Sequence, residues 1–166
     1  KLSAQVADRS FIKEYLALIS GKPEADSGIM RDLLFKDSAR NKSYVVKRMR
    51  KGVKEAVLEY EVLCSKESVS LVRIRLQTGR SHQIRVQFSH RKMPLLGDRR
   101  YGSGKDNCSV ALWSHSLSFV SPFDGVLDIS RTEASNEYMF DLANKVESLY
   151  QWVIIDPQNE NTFMQA

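Results

Sequence analysis

The stretch AVLEYEVLCSKESVSLVRIRLQTGRSHQIRV, residues 56–86, decides the fold. Residues 56–64 and 70–76 carry apolar patterns with a period of two, with the polar connector 65–69 between them. A period of two is typical of strands that bury one face, because successive side chains point to opposite sides of a sheet. The pattern therefore predicts an antiparallel β-hairpin.

A helix is predicted directly after the hairpin. Thr78-Gly79-Arg80 turns the chain, and Ser81 is a residue type that caps helix N-termini through its hydroxyl. Residues Ile84, Val86 and Phe88 give the following segment an apolar face. We expect Arg85 to lie near the N-terminal end of this helix.

The rest of the chain continues the same pattern on both sides of the hairpin. Strands are predicted at residues 11–20, 28–35, 43–49, 111–120 and 126–129, and helices at residues 1–9 and 138–150. The predicted fold class is α+β, a mainly antiparallel mixed sheet with flanking helices, and residues 1–166 are expected to form a single domain. The helix at residues 1–9 has no N-cap signal, which predicts that the chain was cut from a longer protein.

The charge of the chain favours a polyanionic partner. The 25 Lys and Arg outnumber the 20 Asp and Glu, which gives a net charge of +5. Phosphate contacts made by such residues supply most non-specific affinity for nucleic acid. The basic residues cluster in two segments, the first with Lys47, Arg48, Arg50, Lys51 and Lys54 and the second with Arg91, Lys92, Arg99 and Arg100. Charge runs also occur as solvated faces that bind nothing, so the clusters alone leave both interpretations open.

Several classes of site have no support in the sequence. Lys105 is followed by Asp106 in GDRRYGSGKD, which does not fit a phosphate-binding loop, and no G-x-S-x-G motif is present. His82, His90 and His115 are not spaced as metal ligands, and Cys64 and Cys108 stand far apart. We predict no metal and no small-molecule cofactor. No apolar run has membrane-spanning length, so no membrane association and a cytoplasmic location are expected.

The motif after the hairpin carries a family resemblance. LQTGRSHQIRV, residues 76–86, is similar to the L-x-T-G-R-T/S-H-Q-I/L-R-V-H motif of the RNA pseudouridine synthases of the ribosomal large-subunit and tRNA type. Three further blocks stand in the family's order. They are the K-x-Y-x-A block at residues 13–17, the block P-L-L-G-D with Y-G at residues 94–102, and the A-L…L-x-F…P pattern at residues 111–122.

The resemblance implies an enzyme that isomerises uridine to pseudouridine in ribosomal or transfer RNA without a cofactor. By motif position, Tyr15 is implied to stack on the uracil and to serve as a candidate for proton abstraction. Arg85 is implied to pair with the catalytic aspartate. Arg80 and His82 are expected to orient the loop or to contact RNA, together with the first basic cluster.

Departures from the family's pattern lead to the alternatives. Gln87 replaces a histidine, a change expected to affect packing or RNA contact, and the catalytic aspartate of the H-R-L-D motif has no counterpart among the 166 residues. The isolated chain is therefore expected to be inactive. Asp98, in the L-L-G-D block, is expected to be structural. The alternatives are a non-catalytic RNA-binding module on the same scaffold and a basic interaction domain that does not bind RNA.

Overall fold

The computed structural model of the protein describes residues 2–8, 10–102, 109–120 and 127–131, and within them two helices and seven strands. The described residues belong to one compact unit, residues 1–132. The elements are α1 (Leu2–Asp8), β1 (Ile12–Ser20), β2 (Ser27–Asp37), β3 (Lys42–Val46), β4 (Val53–Lys66), β5 (Val69–Leu76), α2 (Gln83–His90), β6 (Leu112–Val120) and β7 (Leu127–Arg131). The helix predicted at residues 138–150 lies outside the described residues, and the single-domain prediction for residues 1–166 stays a prediction.

The strands form one sheet in the order β3-β2-β4-β5-β1-β6-β7, and every described neighbouring pair is antiparallel. The predicted α+β class with a mainly antiparallel sheet is thus confirmed. The β4–β5 hairpin is also confirmed, with Leu58 opposite Leu76 and Lys66 opposite Val69. Glu67 makes the tight turn in the left-handed region, at a φ of 53°. The strand predicted at residues 43–49 ends early, at Val46, because the basic residues that follow form an exposed bend.

Helix α2 covers one face of the sheet and closes the core. Ile84 and Phe88 are four residues apart and so lie on one side of the helix. Both pack into a buried cluster that contains Ala17, Ile19, Met30, Leu58, Val72, Ile74 and Leu95. Phe88 is fully buried, and its ring meets that of Tyr60 edge to face with the centroids 6.0 Å apart. Val86 packs into a second, smaller cluster with Leu34 and Ala56.

The predicted helix cap at Ser81 is wrong. Helix α2 begins at Gln83, and the N-cap residue is His82, which adopts a left-handed conformation (φ 55°, ψ 24°) and forms no side-chain cap hydrogen bond. The side chain of Gln83 satisfies two hydrogen-bond donors of the turn, because its Oε1 accepts from the Arg80 N–H and from the Thr78 hydroxyl. Ser81 instead accepts a hydrogen bond on its carbonyl from the Ser43 hydroxyl. A local contact from Gln83 and a tertiary contact from Ser43 therefore replace the Ser81 cap.

Replacement of Phe88 by alanine tests the packing of α2. We expect Phe88→Ala to lower the free energy of unfolding by about 3–5 kcal/mol, because it leaves a cavity under the helix. Ile29, whose side chain is exposed, provides the control. Ile29→Ala should change stability by no more than about 0.5 kcal/mol. Urea unfolding followed by circular dichroism measures both, and equal losses would contradict the assigned core.

Candidate active site

The best-defined polar site is an ion pair between Arg85, in the first turn of α2, and Asp98, in the loop after Leu95. Arg85 donates from Nε to Oδ2 and from Nη2 to Oδ1 of Asp98, each over 2.7 Å. The Asp98 side chain is fully buried, and that of Arg85 is 20% exposed. Asp98 Oδ1 also accepts the backbone N–H groups of Arg100 and Tyr101, each over 3.0 Å. Such two-pronged, charge-assisted pairs are among the stronger hydrogen-bonded contacts in proteins.

These contacts keep both groups ionised. Burial is the largest influence on Asp98 and opposes its charge. Hydrogen bonds from Arg85 and from the backbone of Tyr101 and Arg100 outweigh burial and hold the pKa of Asp98 below its ordinary value. The hydrogen bond to Asp98 raises the pKa of Arg85 in turn. The guanidinium therefore carries its charge at any pH at which the chain is folded.

Tyr101 connects this pair to His82 and to strand β3. The Arg85 Cζ lies 5.1 Å from the centre of the Tyr101 ring, within the range of a cation–π contact. The Tyr101 hydroxyl accepts the backbone N–H of Ser43 (2.8 Å) and lies 2.9 Å from Nδ1 of His82. Burial, followed by the positive charges of Arg85 and Arg100, lowers the pKa of His82. His82 is thus neutral near pH 7. When its Nδ1 carries no proton, that atom can accept a hydrogen bond from the Tyr101 hydroxyl.

Hydrogen bonds attach the loop before α2 to the N-terminal part of β4. Arg80 Nε donates to the carbonyl of Glu55 over 2.8 Å, and Gln83 Nε2 donates to the carbonyl of Val57 over 3.1 Å. The Thr78 hydroxyl accepts the Val57 N–H over 2.8 Å. The structure therefore shows Arg80 orienting the loop, while its contact with RNA stays a prediction.

Tyr15 lies on β1, on the same face of the sheet as α2. It is half-buried and packs against the main core cluster, which includes Ile84, the neighbour of Arg85. It stands opposite Ile74 on β5 and Ser114 on β6, and the pairing of β1 with β6 shifts by one residue between Glu14 and Tyr15. Bulges of this kind often redirect a side chain next to an active site. Tyr15 and Arg85 share no hydrogen bond or ring contact, so their joint role stays a prediction.

The two predicted basic clusters differ in the structure. The first cluster consists of Lys47, Arg48, Arg50, Lys51 and Lys54, all of them exposed, on and beside the β3–β4 connection. None of its members forms an ion pair with a described residue, although Arg50 lies over the Phe35 ring. In the second cluster, Arg91 pairs with Asp32 and Arg100 donates to the carbonyls of Arg40 and Asn41. The first cluster is therefore the better candidate for RNA contact.

Gln87 lies in the core. The replacement of the histidine was expected to affect either packing or RNA contact, and burial favours packing. Its side chain is fully buried, and Nε2 donates to Asp32 Oδ2 over 2.7 Å and more weakly to the carbonyls of Met30 and Ala56. The Oε1 atom has no hydrogen-bond partner in the described part of the chain. The change from the family's histidine thus affects packing.

The described residues contain no cluster of three or more His, Cys, Asp or Glu side chains arranged to hold a metal ion. Among the same residues, neither helix has the length and apolar character that crossing a membrane requires.

Comparison with known proteins assigns the family. The sequence model of the RNA pseudouridylate synthase family matches residues 1–90, more than half of the chain. The chain belongs to this family. Ribosomal large subunit pseudouridine synthase D of Zymomonas mobilis is 33% identical over 134 residues, which cover 75% of the chain and 42% of that protein. An uncharacterised RNA pseudouridine synthase of Aquifex aeolicus is 30% identical over 165 residues, which cover 92% of the chain and 48% of that protein. The chain thus spans less than half the length of these two RNA pseudouridylate synthase relatives.

Solved structures agree with the family's fold. Human RNA Pseudouridylate Synthase Domain Containing 4 superposes with a TM-score of 0.68 over 88% of the chain and 66% of that structure, at 19% identity. Human RNA Pseudouridylate Synthase Domain Containing 1 gives a TM-score of 0.64 over 78% of the chain and 57% of that structure, at 24% identity.

Sequence reasoning missed one contact and one residue of the site. Asp98 was expected to be structural, and its burial agrees with that expectation, but its pairing with Arg85 was not predicted. Tyr101 is only one letter of a motif in the sequence, and in the structure it contacts both Arg85 and His82. The only sequence signal for these contacts is the position of the L-L-G-D and Y-G motifs shortly after the helix. That position does not predict which side chains contact Arg85.

The low pKa of Asp98 predicts an acid-sensitive fold. Because the folded-state pKa lies below the ordinary value of 3.8, the stabilisation is present above about pH 4 and is lost as the pH falls through the folded-state pKa. We expect Asp98→Asn to cost roughly 3 kcal/mol at pH 7, since it leaves a charged Arg85 without its partner. The difference from the wild type should narrow as the pH falls below the ordinary pKa of 3.8 and through the lower folded-state pKa.

Urea unfolding at several pH values measures this difference. Asp26→Asn is the control, because Asp26 is exposed and pairs with Lys22 at the surface. That variant should lose less than about 1 kcal/mol at any pH. A loss in Asp98→Asn that stays constant from neutral to acid pH would show that the charge of Asp98 is not the cause.

Proposed function

We propose that this chain is part of an RNA pseudouridine synthase that isomerises uridine to pseudouridine in ribosomal or transfer RNA. The observation that carries the proposal is the rigid, ionised Arg85 at the start of α2, within the motif L-Q-T-G-R-S-H-Q-I-R-V. Family membership supports the reaction class. The name of the Zymomonas mobilis relative supports a ribosomal RNA substrate. A cytoplasmic location is part of the same proposal.

The reaction replaces one bond between ribose and uracil by another. The bond from ribose carbon 1′ to uracil nitrogen 1 breaks, a bond from carbon 1′ to uracil carbon 5 forms, nitrogen 1 gains a proton and carbon 5 loses one. Substrate and product are isomers, so the balance needs no oxidant or reductant. The protein must expose the uridine, hold the freed base and move the proton.

The residues of the chain divide these tasks. Tyr15 is proposed to stack on the uracil and to accept the carbon 5 proton, with the main core cluster holding its ring. Arg85 is proposed to hold the carboxylate of the family's H-R-L-D motif in its ionised form. That motif does not occur in these 166 residues, so the chain as given supplies the partner of the acid and not the acid.

The first basic cluster is proposed to bind the RNA backbone. Its five cations are exposed and form no ion pair with the described residues, so they are available to phosphates. The same observation favours the second candidate function, a non-catalytic RNA-binding module. The two functions differ in one result, the formation of pseudouridine by the full-length protein.

RNA binding should depend on salt through this cluster. We expect the triple variant Lys47→Gln, Arg48→Gln and Lys51→Gln to bind a structured RNA more weakly. The slope of log affinity against log salt should fall by about 2 to 3, since each lost phosphate contact removes about 0.7 on a single strand and about 0.9 on a duplex. Fluorescence anisotropy between about 50 and 200 mM salt measures the slope.

A matched control removes the same charge elsewhere. Lys22→Gln, Arg40→Gln and Arg73→Gln replace three partly or largely exposed cations, each of which is paired with an acid. This control should keep the wild-type slope. Equal loss in both triple variants, or a wild type that fails to bind RNA at low salt, would contradict the assignment of the RNA-binding surface.

Activity should require the upstream acid. The chain beginning at Lys1 should form no pseudouridine, whereas a full-length protein with an H-R-L-D aspartate should act on a uridine-containing ribosomal or transfer RNA. In that protein, Arg85→Ala should lower the rate about 10²- to 10³-fold by removing an oriented charge from the site. Tyr15→Phe should lower it about 10²-fold if its hydroxyl accepts the proton. Tritium release from uridine labelled at carbon 5 measures each rate.

Two variants control for effects on folding alone. Arg91→Ala removes an arginine that pairs with Asp32 next to the C-terminal end of α2. Tyr44→Phe removes the hydroxyl of a half-buried tyrosine on β3. Both should keep most of the rate. Activity in the chain as given, or full activity in Arg85→Ala, would overturn the residue assignments.

A further inference from the structure

Only part of the Arg85 guanidinium is used by the contacts within the chain. An arginine side chain has five N–H donors arranged in a fork. Nε and Nη2 of Arg85 donate to Asp98, while Nη1 makes no hydrogen bond in the described part of the chain. The side chain is nevertheless largely buried, with 20% of its surface exposed. One side of the fork is therefore fixed and the other is open.

Asp98 is fully occupied and out of reach of a substrate. Oδ2 accepts from Arg85 Nε, and Oδ1 accepts from Arg85 Nη2 and from the backbone N–H groups of Arg100 and Tyr101. Its side chain has no solvent exposure. A group placed in this way cannot touch RNA or take a proton from it, so any contribution to the reaction must pass through Arg85.

Two contacts restrict how the guanidinium can move. The Asp98 carboxylate fixes rotation within the plane of the fork. The Tyr101 ring, 5.1 Å from Cζ, limits tilting of that plane. Tyr101 is itself held, because its backbone N–H donates to Asp98 and its hydroxyl accepts from Ser43. The orientation of Arg85 thus depends on the 98–101 loop.

We infer that Asp98 is a positioning residue, which locks the Nε and Nη2 side of Arg85 and leaves the Nη1 side to meet the catalytic carboxylate. The inference rests on the proposed function, because it assigns Asp98 a part in that reaction. An arginine free to rotate would have to lose side-chain entropy whenever it paired with the catalytic acid. Asp98 removes that loss in advance, which is how a supporting shell keeps an active site in its working geometry.

The test replaces Asp98 by asparagine in the full-length protein that carries the H-R-L-D aspartate. Asparagine keeps the shape and an oxygen for the two backbone N–H groups, but it places an NH₂ group against Arg85 Nε–H. We expect kcat to fall about 10²-fold, the usual cost of a misplaced catalytic group. KM for the RNA should stay within about twofold, since Asp98 does not touch the RNA.

Asp32→Asn is the matched control, because Asp32, on β2, pairs with an arginine next to the other end of the same helix. Asp32 is also largely buried and pairs through both oxygens with Arg91, next to the C-terminal end of α2. This variant should lose stability to a similar extent and keep kcat within about twofold. An equal fall of kcat in Asp32→Asn would show that Asp98 acts through stability alone and would overturn the inference.

Nuclear magnetic resonance of arginine side chains gives a readout that does not depend on activity. In the wild type, the Arg85 Nε–H proton should resonate downfield and exchange slowly with water, and in Asp98→Asn both properties should be lost. An unchanged Nε–H signal in Asp98→Asn would overturn the inference. If the wild-type protein isomerised no uridine, the proposed function would fail, while this measurement would still decide whether Asp98 orients Arg85.

A second variant serves if Asp98→Asn does not fold. Asp98→Glu keeps the charge and can restore the ion pair, so kcat should return to within about tenfold of the wild type. The Arg85 Nε–H proton should remain protected. A glutamate variant with a protected proton and a kcat as low as that of Arg85→Ala would contradict the positioning role.

Discussion

The site is organised around a carboxylate that has been removed from water. Burying a lone charge costs several kcal/mol, and the cost is recovered only when every acceptor position is filled. Asp98 obtains four hydrogen bonds, two from Arg85 and two from the backbone at residues 100 and 101. These partners come from α2 and from the loop itself. The requirement to compensate one acid therefore fixes the position of the helix start relative to the loop.

A single short helix carries out several tasks because its faces meet different partners. Ile84 and Phe88 close the main core against the sheet, and Val86 closes the smaller one. Arg85 and Arg91 lie near opposite ends, and each is paired with an acid from outside the helix. The core contacts fix the axis of α2, and the ion pairs fix its rotation and its position along that axis. The chemistry proposed for Arg85 depends on both.

Much of the sheet could be predicted from the sequence because strand periodicity is a local property. Apolar and polar residues alternate through residues 58–62 and 72–76, and the structure pairs the two strands as predicted. The cap of α2 could not be predicted in the same way. Ser81 has the right chemistry for a cap, but the side chain of the nearby Gln83 accepts the N–H of the turn, and Ser43, distant in sequence, donates to the Ser81 carbonyl. The pairing of Arg85 with Asp98 was missed for a similar reason, since it joins residues whose contact follows from the path of the intervening loop.

The left-handed conformation of His82 has an evolutionary consequence. A non-glycine residue held at positive φ costs about 1–3 kcal/mol, and neighbouring contacts must offset that cost. Tyr101 provides such a contact through its hydroxyl, which also accepts the backbone N–H of Ser43. Residues in such a network have strongly non-additive mutational effects. A substitution accepted at His82 therefore changes which substitutions Tyr101 can accept, and the reverse, so homologues should vary at these two positions as a linked pair, whereas the backbone N–H of residue 43 is available whatever its side chain, proline excepted.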